Sequence, residues 1–168
     1  MGLFSFLKSA GAKLLGKKAE ENDAVASTTA AAPDAMAALT EANERAKGAA
    51  LMSAVVSHGI AVENLDIVVN EDTATVYGQV ESTSAKEKVI LIVGNTEGIA
   101  TVDDRLAVVN PEPEATFYTV VKGDSLSKIA KEHYGDMMKY PVIFEANKPM
   151  LTSPDLIYPG QVLRIPAL

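Results

Sequence analysis

The sequence predicts an α+β protein of two small domains, an αββαβ unit followed by a βααβ unit, behind an N-terminal amphipathic helix. Three observations carry that expectation. The stretch from Phe117 to Pro166 holds two short β-prone runs separated by two helical patterns and punctuated by tight turns. Upstream of it, residues 39–110 switch between helical and strand periodicity. Between the two, Pro111-Glu112-Pro113-Glu114 supplies a short stiff hinge. The expected boundaries are 1–19 for the amphipathic helix, 20–38 for a flexible linker, 39–110 for the first domain, 111–115 for the hinge and 116–168 for the second domain. With 168 residues shared in this way, neither core can be large.

At the N-terminus, Leu3, Leu7, Ala10 and Leu14 form one apolar stripe, with Lys8, Lys13, Lys17 and Lys18 on the other side. Such a helix can rest on anionic lipid. Docking on the first domain's core is the simpler expectation, because it needs no second partner. Residues 20–38 are rich in Ala, Thr, Asp and Asn and contain Pro33, so no packed structure is expected across 24–34. From residue 39 to 57 a helix is expected, burying Leu51, Met52, Val55 and Val56. Gly59 suits a left-handed cap, with Ile60 folding back on Val55.

Residues 65–69 then form a strand, Asn70-Glu71-Asp72 a turn, and 73–80 a second strand in which Ala74, Val76, Gly78 and Val80 alternate with polar neighbours. Ser84 and Glu87 suggest a capping box for a helix containing Val89, Ile90, Leu91, Ile92 and Val93, a run so apolar that it must be largely buried. Gly94-Asn95-Thr96-Glu97-Gly98 breaks that helix, and 99–109 returns as a third strand.

In the second domain, 117–121 is β-prone and Gly123-Asp124 turns the chain. Asp124 or Ser125 can cap a helix carrying Leu126, Ile129, Ala130, His133 and Tyr134, which Gly135 stops. Pro141 suits the first turn of the next helix, with Val142, Ile143, Phe144 and Ala146, and Asn147 suits its end. Pro159-Gly160 makes a tight turn before Val162, Leu163 and Ile165, the last strand.

Net charge is −7, unevenly spread: residues 1–18 carry four lysines and no acid, whereas 19–110 carry fifteen acids against five basic residues. That body repels nucleic acid and tolerates a cation. There is no cysteine, which excludes disulfides and thiolate metal sites. Lys8 interrupts the first apolar run short of a signal-peptide core, Phe6 breaks the myristoylation pattern, and no stretch approaches a membrane span. The expectation is a cytoplasmic monomer without membrane attachment.

An enzyme is not expected, and no catalytic residue is assigned. His58 and His133 lack a Cys, Ser or carboxylate at a useful spacing and read as surface or interface histidines. Asp103 and Asp104, adjacent on a strand, point to opposite faces and cannot share a divalent ion.

The segment Tyr118-Thr119-Val120 … Gly123-Asp124-Ser125-Leu126 … Ile129-Ala130 … Tyr134-Gly135 … Ala146-Asn147 … Ile157-Tyr158-Pro159-Gly160-Gln161-Val162-Leu163-Arg164-Ile165-Pro166 resembles a LysM module. The αββαβ order, with a glycine in its second strand and Gly-Ile-Ala-Thr-Val-Asp-Asp at 98–104, resembles a BON domain. The pairing of the two is similar to the family of bacterial cytoplasmic potassium-binding proteins. That likeness extends to Met1-Gly2-Leu3-Phe4, Ala85-Lys86-Glu87-Lys88, Val93-Gly94-Asn95, Gly98-Ile99-Ala100 and Phe144-Glu145-Ala146-Asn147-Lys148-Pro149-Met150-Leu151.

The resemblance implies a sensor that binds K+ and becomes more compact through contact between its BON and LysM domains. Potassium is well served by carbonyl oxygens that replace its hydration shell. Two glycines at 94 and 98 can release carbonyls at a helix end, where partial negative charge favours a cation. The expected K+ site is the main-chain oxygens of Leu7, Ala10, Gly94, Thr96 and Ile99. LysM modules also imply an alternative, binding of N-acetylglucosamine polymers such as peptidoglycan in a groove formed by Gly123, Asp124, Ser125, Leu126, Ile157 and Tyr158.

Overall fold

The computed structural model describes residues 2–6 and 33–168. Its element order is β1 (Gly2–Ser5), α1 (Pro33–Ser57), β2 (Glu63–Asn70), β3 (Thr73–Ser82), α2 (Thr83–Gly94), β4 (Thr101–Asn110), β5 (Thr116–Thr119), α3 (Leu126–Tyr134), a 3-10 turn (Met137–Lys139), α4 (Tyr140–Ala146) and β6 (Val162–Ile165). The α+β class and the αββαβ-then-βααβ order both hold.

In the first module the strands run in the order β1-β4-β3-β2. The β2–β3 hairpin is antiparallel with Asn70 opposite Thr73, and Glu71 takes a left-handed φ of 54° in the turn between them. Parallel neighbours cannot be joined by a tight turn, and α2 makes the crossover from β3 to its parallel partner β4.

Residues Gly2–Ser5 correct the expected N-terminal helix: they form an edge strand antiparallel to β4, with Phe4 opposite Val102 and Leu3 opposite Asp103. The reason is period-2 patterning. Phe4 and Phe6 turn toward the core, with Phe6 only 8 % exposed, while Leu3 faces out. The remainder of that helix and most of the linker lie outside the described residues.

α1 begins at Pro33, six residues before the expected start at 39. Gly48, Leu51 and Val55 face the sheet, Met52 is half-buried, and Val56, expected inside, is exposed. At Gly48 the helix comes so close to β2 that a Cβ would stand 2.4 Å from the Ile67 carbonyl oxygen. Gly59 closes the helix with a φ of 71°, as a left-handed cap requires.

α2 is buried at Thr83, Glu87 and every position from Val89 to Gly94. An amphipathic helix needs one apolar face. This one needs several, because it packs on β3 and β4, on α1, and on β6 of the second module. Its N-cap is Ser82, whose hydroxyl accepts from the Ala85 N–H at 3.2 Å, so the expected Ser84–Glu87 capping box does not form. Glu87 is committed elsewhere, to Arg164 of β6.

The second module pairs β5 with β6, Tyr118 opposite Leu163. Ser125 caps α3 by accepting from the Lys128 N–H, and Gly135 ends that helix at a φ of 74°. Asp124 instead braces the preceding turn, accepting from the Val121 N–H at 2.9 Å and the Tyr118 hydroxyl at 3.0 Å. Leu126, Ile129, Ala130, Ile143, Leu151, Leu163 and Ile165 make the core. The 111–115 segment is fastened to the start of α2. Glu112 N–H donates to Thr83 Oγ1 at 2.9 Å and Ala115 N–H donates to Glu87 Oε1 at 2.7 Å.

Candidate functional site

Gly94, Thr96 and Ile99 fall in one turn between α2 and β4. The helix ends with Asn95 N–H donating to Leu91 O at 2.9 Å and Thr96 N–H to Val93 O at 3.2 Å. Gly98, at a φ of 88°, then reverses the chain, and Ile99 N–H donates to Thr96 O at 3.3 Å. Beyond it, Ala100 N–H and Thr101 N–H both donate to Asp72 O, which ties the turn to the β2–β3 hairpin. The Thr96 hydroxyl donates back to Ile92 O at 2.8 Å. Carbonyls at a helix end of this kind carry partial negative charge.

The N-terminal chain arrives at the same turn. Phe6 N–H donates to Ala100 O at 2.7 Å. Its ring lies over Gly94, where a Cβ would stand 2.2 Å from the ring carbon Cζ. Only glycine allows that approach. Leu7 and Ala10, expected to supply two of the five carbonyls, lie outside the described residues. On the solvent side of the turn a cavity of 210 Å³ is lined by Lys47, Ala50, Leu51, Ala54, Glu97 and Ile99 with Thr96. Main-chain oxygens in general suit a large monovalent cation; of the three expected here, Thr96 O accepts from the Ile99 N–H.

In the sequence Asn95 stands in the helix-breaking run from Gly94 to Gly98, with no partner indicated. In the structure it is fully buried and faces the second module. Its Nδ2 donates to Val162 O at 3.0 Å and its Oδ1 accepts from Val162 N–H at 2.8 Å. Two residues along β6, Asn147 does the same from within the second module, with Nδ2 donating to Arg164 O and Oδ1 accepting from Arg164 N–H, both at 2.7 Å. Alternation along an antiparallel strand turns Val162 and Arg164 away from β5, so these two carboxamides occupy the open edge of the two-stranded sheet.

The seam between the modules also holds a buried ion pair. Glu87 Oε2 meets Arg164 Nε at 2.5 Å. Beside it, Lys88 is held below its usual range, first by burial and next by the nearby Arg164 charge, with Glu145 acting against both. Phe4 of β1 meets Phe117 of β5 edge to face, with ring centres 5.2 Å apart. No signal in one sequence pairs Glu87 with a residue 77 positions away.

The expected glycan groove is only partly assembled. Asp124, Ser125, Leu126 and Ile157 line one cavity of 490 Å³ together with Tyr140 and Asp155. Tyr158 lines a separate one with His58, Met150, Asp155, Ile157 and Gln161. Gly123 lines neither of these two; its carbonyl accepts from Lys128 Nζ at 2.7 Å. Burial pushes the Tyr158 hydroxyl up to about 12.

The other weighed side chains have structural partners. Asp103 pairs with Arg105 at 2.9 Å, whereas Asp104, on the opposite face and buried, takes Lys86 at 3.3 Å and the Leu106 N–H at 3.0 Å. His58 Nδ1 lies 2.8 Å from Ala54 O, and His133 stacks edge to face on Tyr118.

Comparison with known proteins agrees with this architecture. The BON domain family model matches residues 48–110 and the LysM domain model residues 118–166. The chain is 42 % identical over 167 residues to "Potassium binding protein Kbp" of Escherichia coli, covering 99 % of each. It is 35 % identical over 129 residues to an uncharacterized protein of Deinococcus radiodurans, covering 70 % of this chain and 50 % of that one. A shorter likeness, 47 % over 53 residues, joins it to the esterase Rv1288 of Mycobacterium tuberculosis, of which it covers 11 %. Among the described residues, no helix is long and apolar enough to cross a membrane.

Proposed function

The chain belongs to the Kbp family, a BON domain followed by a LysM domain, and from that membership we propose that it is a cytoplasmic K+ sensor and not an enzyme. In this reading the main-chain oxygens of Leu7, Ala10, Gly94, Thr96 and Ile99 hold the ion. Binding then draws the BON and LysM domains together in a monomer.

The observation that carries the reading is the turn after α2. Its carbonyl-bearing residues Gly94, Thr96 and Ile99 adjoin both the incoming N-terminal strand, through Phe6, and the LysM sheet, through Asn95. An ion gathered by such a turn stabilises the compact state by about 2.7 kcal/mol when its free concentration is a hundred times its dissociation constant. That exceeds what most weak domain contacts need. Calorimetric titration with KCl and with NaCl at constant ionic strength tests it: K+ should give saturable heat that Na+ does not, and identical curves would count against the proposal.

A second reading has its own observation. The cavity lined by Asp124, Ser125, Leu126 and Ile157 supports the reading that the LysM domain binds an N-acetylglucosamine polymer. Co-sedimentation with insoluble peptidoglycan decides this, since an ion sensor alone stays in the supernatant.

A further inference from the structure

Between Gly94 and Thr96, Asn95 is the residue whose side chain enters the other domain. Its side chain is fully buried, and its two hydrogen bonds to the Val162 main chain reproduce what a neighbouring strand would provide. Asn147 provides the equivalent pair at Arg164 and is part of the LysM domain itself. The outer edge of β6 is therefore completed half by its own domain and half by the BON turn.

We propose that Asn95 is the positioning residue that converts ion occupancy of the Gly94–Thr96–Ile99 turn into LysM docking. The inference rests on the ion-site reading above and adds a route for its regulation. The Gly94 carbonyl belongs to the peptide that precedes Asn95 and the Thr96 carbonyl to the peptide that follows Thr96, so a turn conformation that brings both to one cation also fixes the Asn95 backbone between them and with it the direction of its Cβ. With the cation gone, converging carbonyl dipoles repel one another and the turn relaxes. Asn95 then leaves Val162. A bare N–H and C=O on the sheet edge, together with the neighbouring Glu87–Arg164 pair, favour hydration and separation of the seam. Because coupling is reciprocal, weakening the seam must also weaken ion binding.

The test uses the full chain with Asn95→Ala, and Asn95→Asp as a second variant of nearly unchanged size that keeps only the acceptor. K+ affinity, the melting-temperature difference between K+ and Na+ buffers, and the scattering radius are compared with the parent chain. Arg164→Met weakens the seam without touching the turn. The expected result is loss of the K+-specific compaction in both Asn95 variants and K+ affinity lowered on the order of tenfold in all three. A purely structural role would lower the melting temperature equally in both salts and keep the K+ increment, and that outcome overturns the proposal. So does full K+ compaction in an Asn95 variant. If the parent chain itself responds identically to K+ and Na+, the ion-site reading fails and the inference with it, whereas a parent that responds beside variants that match it removes the inference alone.

Discussion

Glu87 and Arg164 form a buried ion pair across the two domains, Oε2 to Nε at 2.5 Å, and the second Glu87 oxygen accepts from the Ala115 N–H at 2.7 Å. One carboxylate thus holds the BON helix, the connecting segment and the last LysM strand. Removing one partner of such a pair strands the other charge in a dry seam. Glu87→Ala is expected to cost about 3 kcal/mol or more, and a combined Glu87→Leu, Arg164→Met change to recover most of it, since apolar replacement of both charges removes their desolvation penalty. Urea denaturation of the parent and these two variants checks this; a Glu87→Ala loss below about 1 kcal/mol would mean that the seam is wet.

Gly94 is required by contact and not by φ. With the Phe6 ring carbons 2.2 to 2.4 Å from a Cβ built there, Gly94→Ala must push the ring aside. The expected loss is about 1–3 kcal/mol, the range for overpacking a core. Adding Phe6→Leu should return part of it. Thermal melts of the single and double variants measure the recovery, and additive losses would show that the two positions do not touch.

Asn147 closes the other half of the β6 edge and is 1 % exposed. Its Nδ2 is shared between Ile143 O and Arg164 O, and its Oδ1 serves Arg164 N–H. Asn147→Ala leaves buried main-chain groups unmade and is expected to cost about 2–3 kcal/mol. Unlike Asn95→Ala, it should spare the K+ increment in any population that remains folded. Chemical denaturation in K+ and in Na+ separates the two effects.

Tyr158 places a pH signature in the LysM domain. Its hydroxyl is buried without a hydrogen-bond partner among the described residues, and burial raises it to about 12 from the ordinary 10. The folded state therefore holds this proton to higher pH than the unfolded chain. The contribution is complete below about pH 10 and is lost as pH rises toward 12. Tyr158→Phe should be neutral or stabilising by about 1 kcal/mol at pH 7, because an unpaired hydroxyl is removed. Its advantage over the parent should grow above pH 10, and denaturation of both proteins at pH 7 and pH 11 reads the difference. An advantage that shrinks with pH would contradict the burial argument.

Much of the fold was legible because its signals are local. Ser125 and Gly135 bracket α3, Gly59 caps α1, and the Asn70–Thr73 hairpin turns where the sequence indicates. Two of the failures share a cause, which is a partner distant in the chain. Leu3 fitted a helical stripe with Leu7, yet Gly2–Ser5 joins β4, about a hundred positions away. Ser84 and Glu87 had the spacing of a capping box, but Glu87 answers to Arg164 and Ser82 takes the cap. At the candidate site the glycines at 94 and 98 could be read from composition. The tight approach of Phe6 to Gly94 and the bonding of Asn95 to Val162 required the packed structure.

The most direct measurement is small-angle scattering on the full chain in KCl and in NaCl at matched ionic strength, each titrated from dilute to saturating salt. The account predicts a radius of gyration that falls with K+ along the calorimetric binding curve and stays unchanged in Na+. Saturable K+ binding with no change in radius, or an equal contraction in both salts, would contradict it.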